Sequence, residues 1–84
     1  MFLIKEVLLN SEREQVVNFL KNFSLKLDSD VTKTLYIEDD SKVIGTISCA
    51  DYIIKSLAVD PSYQSENLAG KLVNEMIQYF ARNN

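Results

Sequence analysis

The stretch AVDPSYQSENLAGKL, residues 58–72, joins an apolar strand-like run to a helix-like run. It contains Pro61, the only proline of the chain, and Gly70, one of its two glycines. A strand that turns tightly into a helix leaves backbone N–H groups free at the helix N-terminus, and these groups attract anions. If this chain binds a cofactor, we therefore expect the site at this turn. A plain strand-to-helix turn with ordinary caps is the alternative.

The composition describes one soluble domain. The 84 residues allow a single domain, and 46% hydrophobic and 25% charged residues are ordinary for a globular protein. The net charge of −3 and the isoelectric point of about 4.8 argue against nucleic-acid and anionic-membrane partners, which require clustered Lys and Arg. The single cysteine, Cys49, allows no internal disulfide and favours a reducing, cytoplasmic location. The absence of histidine excludes His-based triads, and we expect no metal site.

Hydrophobic periodicity predicts the element order β-α-β-β-β-α. Strands are expected over residues 2–9, 32–38, 42–48 and 52–59, and helices over residues 12–22 and 67–82. Ser11 and Glu14 have the spacing of a capping box at the first helix. The four tyrosines are expected in the core or at its rim. The order predicts an α/β fold, with a mixed and mainly antiparallel sheet.

The fourth strand is the most apolar segment, which favours a central position with both faces buried. Only Lys55 interrupts the run; it could pair with a phosphate, act as a base of depressed pKa, or extend its ammonium into solvent. The second helix has an apolar face, formed by Ala69, Leu72, Val73, Met76, Ile77 and Phe80. A further strand is expected to follow this helix by a right-handed crossover. We therefore expect residues 1–84 to be one domain that is a fragment of a longer chain or is completed by a partner.

Residues 57–64, LAVDPSYQ, followed by Asn67 and Ala69, resemble the signature of the GNAT N-acetyltransferase superfamily. That signature is Gln or Arg, two residues, Gly, one residue, and Gly or Ala, reached through a V-x-P-x-Y segment. The predicted element order matches the first half to two-thirds of the family fold. In the family, backbone N–H groups of this turn hold the pyrophosphate of acetyl-CoA. The resemblance assigns this role to Gln64, Ser65, Glu66, Asn67, Leu68 and Ala69, and places the pantetheine arm beside Leu57, Ala58 and Val59.

Two features depart from the family pattern. Asn67 occupies a position where glycine is usual, and we expect the asparagine to narrow the turn and to weaken cofactor binding. The strand that forms the other wall of the family's cofactor cleft, and the region that often carries a general-acid tyrosine, have no counterpart in these 84 residues. No catalytic residue is therefore assigned.

Residues 45–48, GTIS, and residues 54–59, IKSLAV, flank a very short turn and resemble the N-terminal acetyltransferase-like domain of citrate lyase ligases. Such ligases use ATP and acetate to acetylate the thiol of the prosthetic group on the citrate lyase acyl carrier protein. Their adenylate chemistry resides in a separate domain with a histidine motif, which this chain lacks. The resemblance implies a domain that binds acetyl-CoA or a CoA-like phosphopantetheine group, with the acyl carrier protein as a partner.

Two other functions fit the same sequence. One is a small stand-alone N-acetyltransferase, in which strand amides polarise the thioester carbonyl of acetyl-CoA and an amine attacks it. The other is a non-catalytic interaction module that pairs an exposed sheet edge with another chain. A homodimer is compatible with each of these functions.

Overall fold

Four strands and two long helices make up the computed structural model, which describes residues 2–83. The strands are β1 (Ile4–Glu6), β2 (Lys33–Asp39), β3 (Lys42–Ala50) and β4 (Ile53–Val59). The helices are α1 (Asn10–Lys21) and α2 (Leu68–Arg82), and a 3₁₀ segment, Pro61–Glu66, leads into α2. The order β-α-β-β-β-α that periodicity predicted is therefore confirmed.

The described strands form one antiparallel sheet in the order β1-β2-β3-β4. Tight turns explain this order. Asp40 and Ser41 both adopt positive φ angles, 53° and 64°, which is the type I′ geometry that matches the strand twist in a two-residue hairpin. Asp51, with φ of 54°, begins the equally short turn from β3 to β4. The predicted fold class, helices with a mainly antiparallel sheet, is confirmed.

The two helices cover opposite faces of the sheet. Side chains alternate between the faces of a strand, and the buried core divides accordingly. On one face, α1 packs Val16, Phe19 and Leu20 against Tyr36 and Ala58. On the other face, the cluster beneath α2 consists of Leu35, Ile37, Ile44, Ile47, Cys49, Leu68, Leu72 and Met76.

The start of α1 differs from the predicted capping box. The helix begins at Asn10, and the carboxylate that caps it belongs to Glu12 rather than Glu14. One oxygen of Glu12 accepts the N–H groups of Leu8 and Leu9, at 3.0 and 2.8 Å. Its other oxygen accepts the hydroxyl of Tyr36 on β2, at 2.5 Å. This contact with the sheet stabilises a helix start that the local capping pattern does not reveal.

Within the described residues, β4 is an edge strand and not the central strand that its apolar sequence predicted. It pairs with β3 on one side only. Ile53 is consequently 65% exposed and Leu57 is 38% exposed. Ile77, expected on the buried face of α2, is 53% exposed, and Ala69 is also exposed. Burial depends on which elements lie alongside a strand or helix, so apolar composition alone predicted the burial of these residues wrongly.

Candidate functional site

The end of β4 is fastened to β3 before the chain turns. The N–H of Asp60 donates to the carbonyl of Ile44 at 2.7 Å, and the side chain of Asp60 accepts the N–H of Ser62 at 2.8 Å. The N–H of Tyr63 donates to the Asp60 carbonyl at 2.9 Å, which closes the first turn of the 3₁₀ segment. Pro61 suits the position after the strand because its nitrogen lacks the hydrogen that a continuing strand would donate to its neighbour. Asp60 thus determines where the strand ends and where the turn begins.

Asn67 joins the 3₁₀ segment to α2 in the left-handed conformation, with φ of 55° and ψ of 39°. Asparagine is one of the few residues other than glycine that adopts this conformation readily. The side chain of Asn67 lies over Gly70, where an added Cβ would be 2.7 Å from the Asn67 Oδ1. Glycine at position 70 therefore allows the left-handed Asn67 to sit against the first turn of the helix.

The first turn of α2 has free backbone donors. The first helical bond of α2 runs from the Lys71 N–H to the Asn67 carbonyl, so the N–H groups of Leu68, Ala69 and Gly70 have no acceptor within the helix. Among residues 2–83, no side chain caps them. With the positive end of the helix dipole, these donors form a surface that attracts an anion.

The predicted site residues of the turn lie together on this surface. The side chains of Gln64, Ser65, Glu66, Asn67 and Ala69 are exposed. Leu68 differs because its side chain is 1% exposed and belongs to the core beneath α2. Only the backbone of Leu68 is available to a ligand.

A β-bulge interrupts β4 at Ser56 and Leu57, where the predicted residues Leu57, Ala58 and Val59 begin. Thr46 pairs with Ala58 while Ser48 pairs with Lys55, so Ser56 and Leu57 together oppose Ile47. Ser56 has a positive φ of 53°, and its hydroxyl donates to the Lys26 carbonyl at 2.9 Å. A bulge redirects the backbone of its strand and is frequent beside functional sites. No glycine marks this position, so the sequence alone did not reveal it.

The three predicted strand residues lie in different environments. Leu57 is 38% exposed at the strand edge, whereas Ala58 is 7% exposed on the face that α1 covers. Val59 is half-buried and packs against the cluster beneath α2. Leu57 and Val59 therefore lie on the same face as α2, and β4 connects them directly to the turn.

Lys55 is held by the loop that follows α1. Its ammonium lies 3.0 Å from the Asp30 carboxylate and 3.4 Å from the Asp28 carboxylate. The hydrogen bond to Asp30 raises the pKa of Lys55, and Asp28 adds to this effect. Lys55 therefore remains protonated, and the alternative of a base with depressed pKa is wrong.

Tyr63 connects the turn to the tip of the β2–β3 hairpin. Its hydroxyl donates to Asp39 Oδ2 at 2.7 Å, and its ring meets the ring of Phe2 edge to face with centroids 5.8 Å apart. The hydrogen bond to Asp39 raises the pKa of Tyr63, so the phenol remains a donor. Sequence reasoning placed Tyr63 in the core or at its rim. It missed the pairing with Asp39 because the two residues are distant in the chain.

The residues that the structure describes form no group of three or more His, Cys, Asp or Glu placed to hold a metal ion. None of the described helices combines the length and the apolar character needed to cross a membrane.

Comparisons with known proteins identify the family. The model of the acetyltransferase (GNAT) family matches residues 5–84. The citrate (pro-3S)-lyase ligase of Klebsiella pneumoniae is 32% identical over 65 residues, which amount to 77% of this chain and 19% of that protein. No solved structure matches the chain significantly. Because the family match spans nearly all of the chain, including the turn between β4 and α2, this chain belongs to the GNAT acetyltransferase family.

Proposed function

We propose that the turn between β4 and α2 binds the pyrophosphate of CoA, acetyl-CoA or a CoA-like phosphopantetheine group. The observation that carries this proposal is the set of uncapped N–H groups of Leu68, Ala69 and Gly70 behind the left-handed Asn67. Three backbone donors at a helix N-terminus suit the oxygens of a pyrophosphate, which accept hydrogen bonds and carry negative charge.

The residues of this chain would hold the group along two elements. The first turn of α2 would donate its N–H groups to the pyrophosphate. The outer edge of β4, which no described strand pairs, has backbone groups at Leu57 and Val59 that could bond the amides of a pantetheine arm. When bound, the group supplies the sulfur that carries an acyl chain. We assign no residue of this chain as general acid or base.

Carboxylates around the turn should lower its affinity for CoA. Asp39, Asp40 and Asp60 all lie near enough to raise the pKa of Tyr63, and Glu66 is part of the turn itself. Carboxylates near a pyrophosphate weaken its binding, since like charges repel. We therefore expect CoA to bind weakly. Its pyrophosphate would be held by backbone N–H groups and not by side-chain cations.

We further propose that the chain is the acyl-binding domain of a citrate lyase ligase. The 32% identity to such a ligase supports this assignment. A phosphopantetheine-type thiol on an acyl carrier protein would then be the natural occupant of the site. The 84-residue chain by itself would have little or no catalytic activity.

Calorimetric titration of CoA into the protein tests the proposed site. Pantetheine, which lacks the pyrophosphate, is the matched ligand control and should bind at least about 10-fold more weakly if phosphate contacts matter. No binding at millimolar CoA, or equal binding of pantetheine, would refute the site. Acetyl transfer to a free amine by this chain would instead support a stand-alone acetyltransferase.

A matched pair of substitutions locates the site. Gln64→Glu adds a negative charge to the exposed turn, and Gln78→Glu makes the same change on the exposed part of α2 beyond it. The first should weaken CoA binding about 5-fold or more by repulsion, and the second by less than about 2-fold. Equal effects of the two substitutions would place the ligand elsewhere.

A second candidate function, pairing with another chain, is supported by the exposed apolar edge of β4. Ile53 and Leu57 are 65% and 38% exposed there. We include homodimerisation in this proposal, and sedimentation velocity over a range of concentrations tests it.

A further inference from the structure

We propose that Tyr63 is a positioning residue for the CoA-binding turn, and that it acts through its hydrogen bond to Asp39. The part of this inference that concerns the affinity for CoA rests on the proposed function. The Tyr63 hydroxyl donates to Asp39 Oδ2 at 2.7 Å, across 24 positions in the chain. The bond joins the middle of the 3₁₀ segment to the tip of the β2–β3 hairpin.

The turn has few other side-chain anchors. Gln64, Ser65, Glu66 and Asn67 are exposed, and no side-chain hydrogen bond to another described residue holds Gln64, Ser65 or Glu66. The bonds of Asp60 fasten the start of the turn, and the buried Leu68 fastens its end. Between these two ends, Tyr63 is the residue whose side chain ties the segment to the sheet.

The backbone of Tyr63 shows why an anchor matters at this point. Its φ of −114° and ψ of 16° are non-helical and break the 3₁₀ segment into two parts. Hydrogen-bond geometry in a 3₁₀ helix is poorer than in an α-helix, so an interrupted 3₁₀ segment depends on contacts with the rest of the protein to keep its path. The hydroxyl bond to Asp39 and the edge-to-face contact with Phe2 are such contacts.

The hairpin tip is a suitable place for the other end of the bond. Asp39 is the last residue of β2 and pairs with Lys42 across the type I′ turn. A two-residue hairpin turn is short and well defined, so it gives the carboxylate a fixed position. Through this hydrogen bond, the hairpin tip restrains the position of Tyr63 and of the turn, which has few other side-chain anchors.

The test compares Tyr63→Phe with Tyr52→Phe. Tyr52 is a matched control because its hydroxyl also makes one hydrogen bond, to the Asn83 carbonyl at 2.9 Å, and its ring also meets a phenylalanine edge to face. It lies at the opposite end of α2 from the turn. Both variants remove one hydroxyl and keep the ring, so both should fold.

Two measurements are made on each variant at a temperature where all of the proteins are folded. Amide hydrogen exchange at residues 64–67 reports the order of the turn directly, and calorimetry with CoA reports affinity. In Tyr63→Phe, a residue of the turn that has lost its anchor must be ordered when CoA binds. The entropy cost of ordering one residue corresponds to a loss of about 5- to 30-fold in affinity, and we expect a loss in this range. Exchange at residues 64–67 should be at least about 5-fold faster in Tyr63→Phe than in Tyr52→Phe.

The outcomes separate this inference from the proposed function. Exchange at residues 64–67 that is unchanged by Tyr63→Phe overturns the positioning role, whether or not CoA binds. Wild-type protein that fails to bind CoA overturns the proposed function, and the exchange measurement still decides the positioning role. Tyr63→Phe is also made in the Asp39→Ala background. If it speeds exchange at residues 64–67 as much there as in wild type, the hydroxyl does not act through Asp39.

Discussion

Gly70 and Asn67 should be energetically coupled, because the side chain of one occupies the space beside the other. A Cβ built at position 70 would lie 2.7 Å from Asn67 Oδ1 and 3.0 Å from Asn67 Nδ2. Gly70→Ala is therefore made in two backgrounds, wild type and Asn67→Gly. Its effect on stability should be more favourable in the Asn67→Gly background than in wild type.

The magnitudes follow from two opposing effects. Alanine in a helix is favoured over glycine by about 0.5–1 kcal/mol. In wild type, the new Cβ forces the Asn67 side chain out of its rotamer, which costs about 0.5–1.5 kcal/mol and cancels or reverses the gain. In the Asn67→Gly background there is no side chain to displace, so Gly70→Ala should raise the unfolding free energy by about 0.5–1 kcal/mol.

Asn67→Gly alone should change stability little. Glycine relieves the steric cost of the left-handed conformation, which is about 1 kcal/mol or less for asparagine, but it increases the entropy of the unfolded chain by a similar amount. The double-mutant cycle therefore isolates the contact between positions 67 and 70.

Thermal unfolding followed by circular dichroism measures all four proteins. For a domain of this size, about 1 kcal/mol shifts the midpoint by about 4–8 °C. We expect little change or a fall for Gly70→Ala in wild type, and a rise of a few degrees in the Asn67→Gly background. An equal rise in both backgrounds would show that the two side chains do not compete for space, and would refute the reasoning.

Four other results follow from the structure. Tyr36→Phe removes a hydrogen bond to the Glu12 carboxylate from a residue that is 3% exposed, and should lower the unfolding free energy by about 1–1.5 kcal/mol in urea titrations. Burial raises the pKa of Tyr36 from 10.0 to about 12, so the stability due to its neutral form is complete below pH 10 and is lost as pH rises from 10 toward 12. Tyr36→Phe should abolish that alkaline loss. The hydrogen bond from Tyr36 lowers the pKa of Glu12, so the contribution of Glu12 is present above pH 4.5 and is lost as pH falls through the lowered value. Ile53→Lys, at a residue 65% exposed, should change the unfolding free energy by less than about 0.5 kcal/mol and should reduce any self-association measured by sedimentation. Unchanged self-association would argue against pairing through β4.

Periodicity predicted the elements well because strand and helix patterns are local. The α2 stripe of Leu72 and Met76 recurs at helical spacing and is fully buried, as expected. The boundaries were less predictable. β1 extends only over Ile4–Glu6, whereas apolar residues suggested a strand over residues 2–9. Which of those residues pair with β2 depends on the partner strand and not on their own side chains.

The candidate turn could be located from sequence, but its supports could not. Pro61, Asn67 and Gly70 act on their own backbone or on neighbours within three positions, so their effects are visible in the sequence. The bulge at Ser56 is different, because it depends on how β4 pairs with β3 and no glycine marks it. The ion pairs of Lys55 likewise depend on where the loop after α1 lies.

The sequence by itself determined the element order and the turn that ends β4, since both rest on short-range steric and hydrogen-bonding preferences. Only the tertiary structure decided that Tyr63 meets Asp39, that Glu12 meets Tyr36, and that β4 lies at an edge of the described sheet. The physical reason is that these contacts join residues 24 positions apart or depend on which strands are neighbours. Side-chain type limits such contacts, but the packing of the helices and strands selects them.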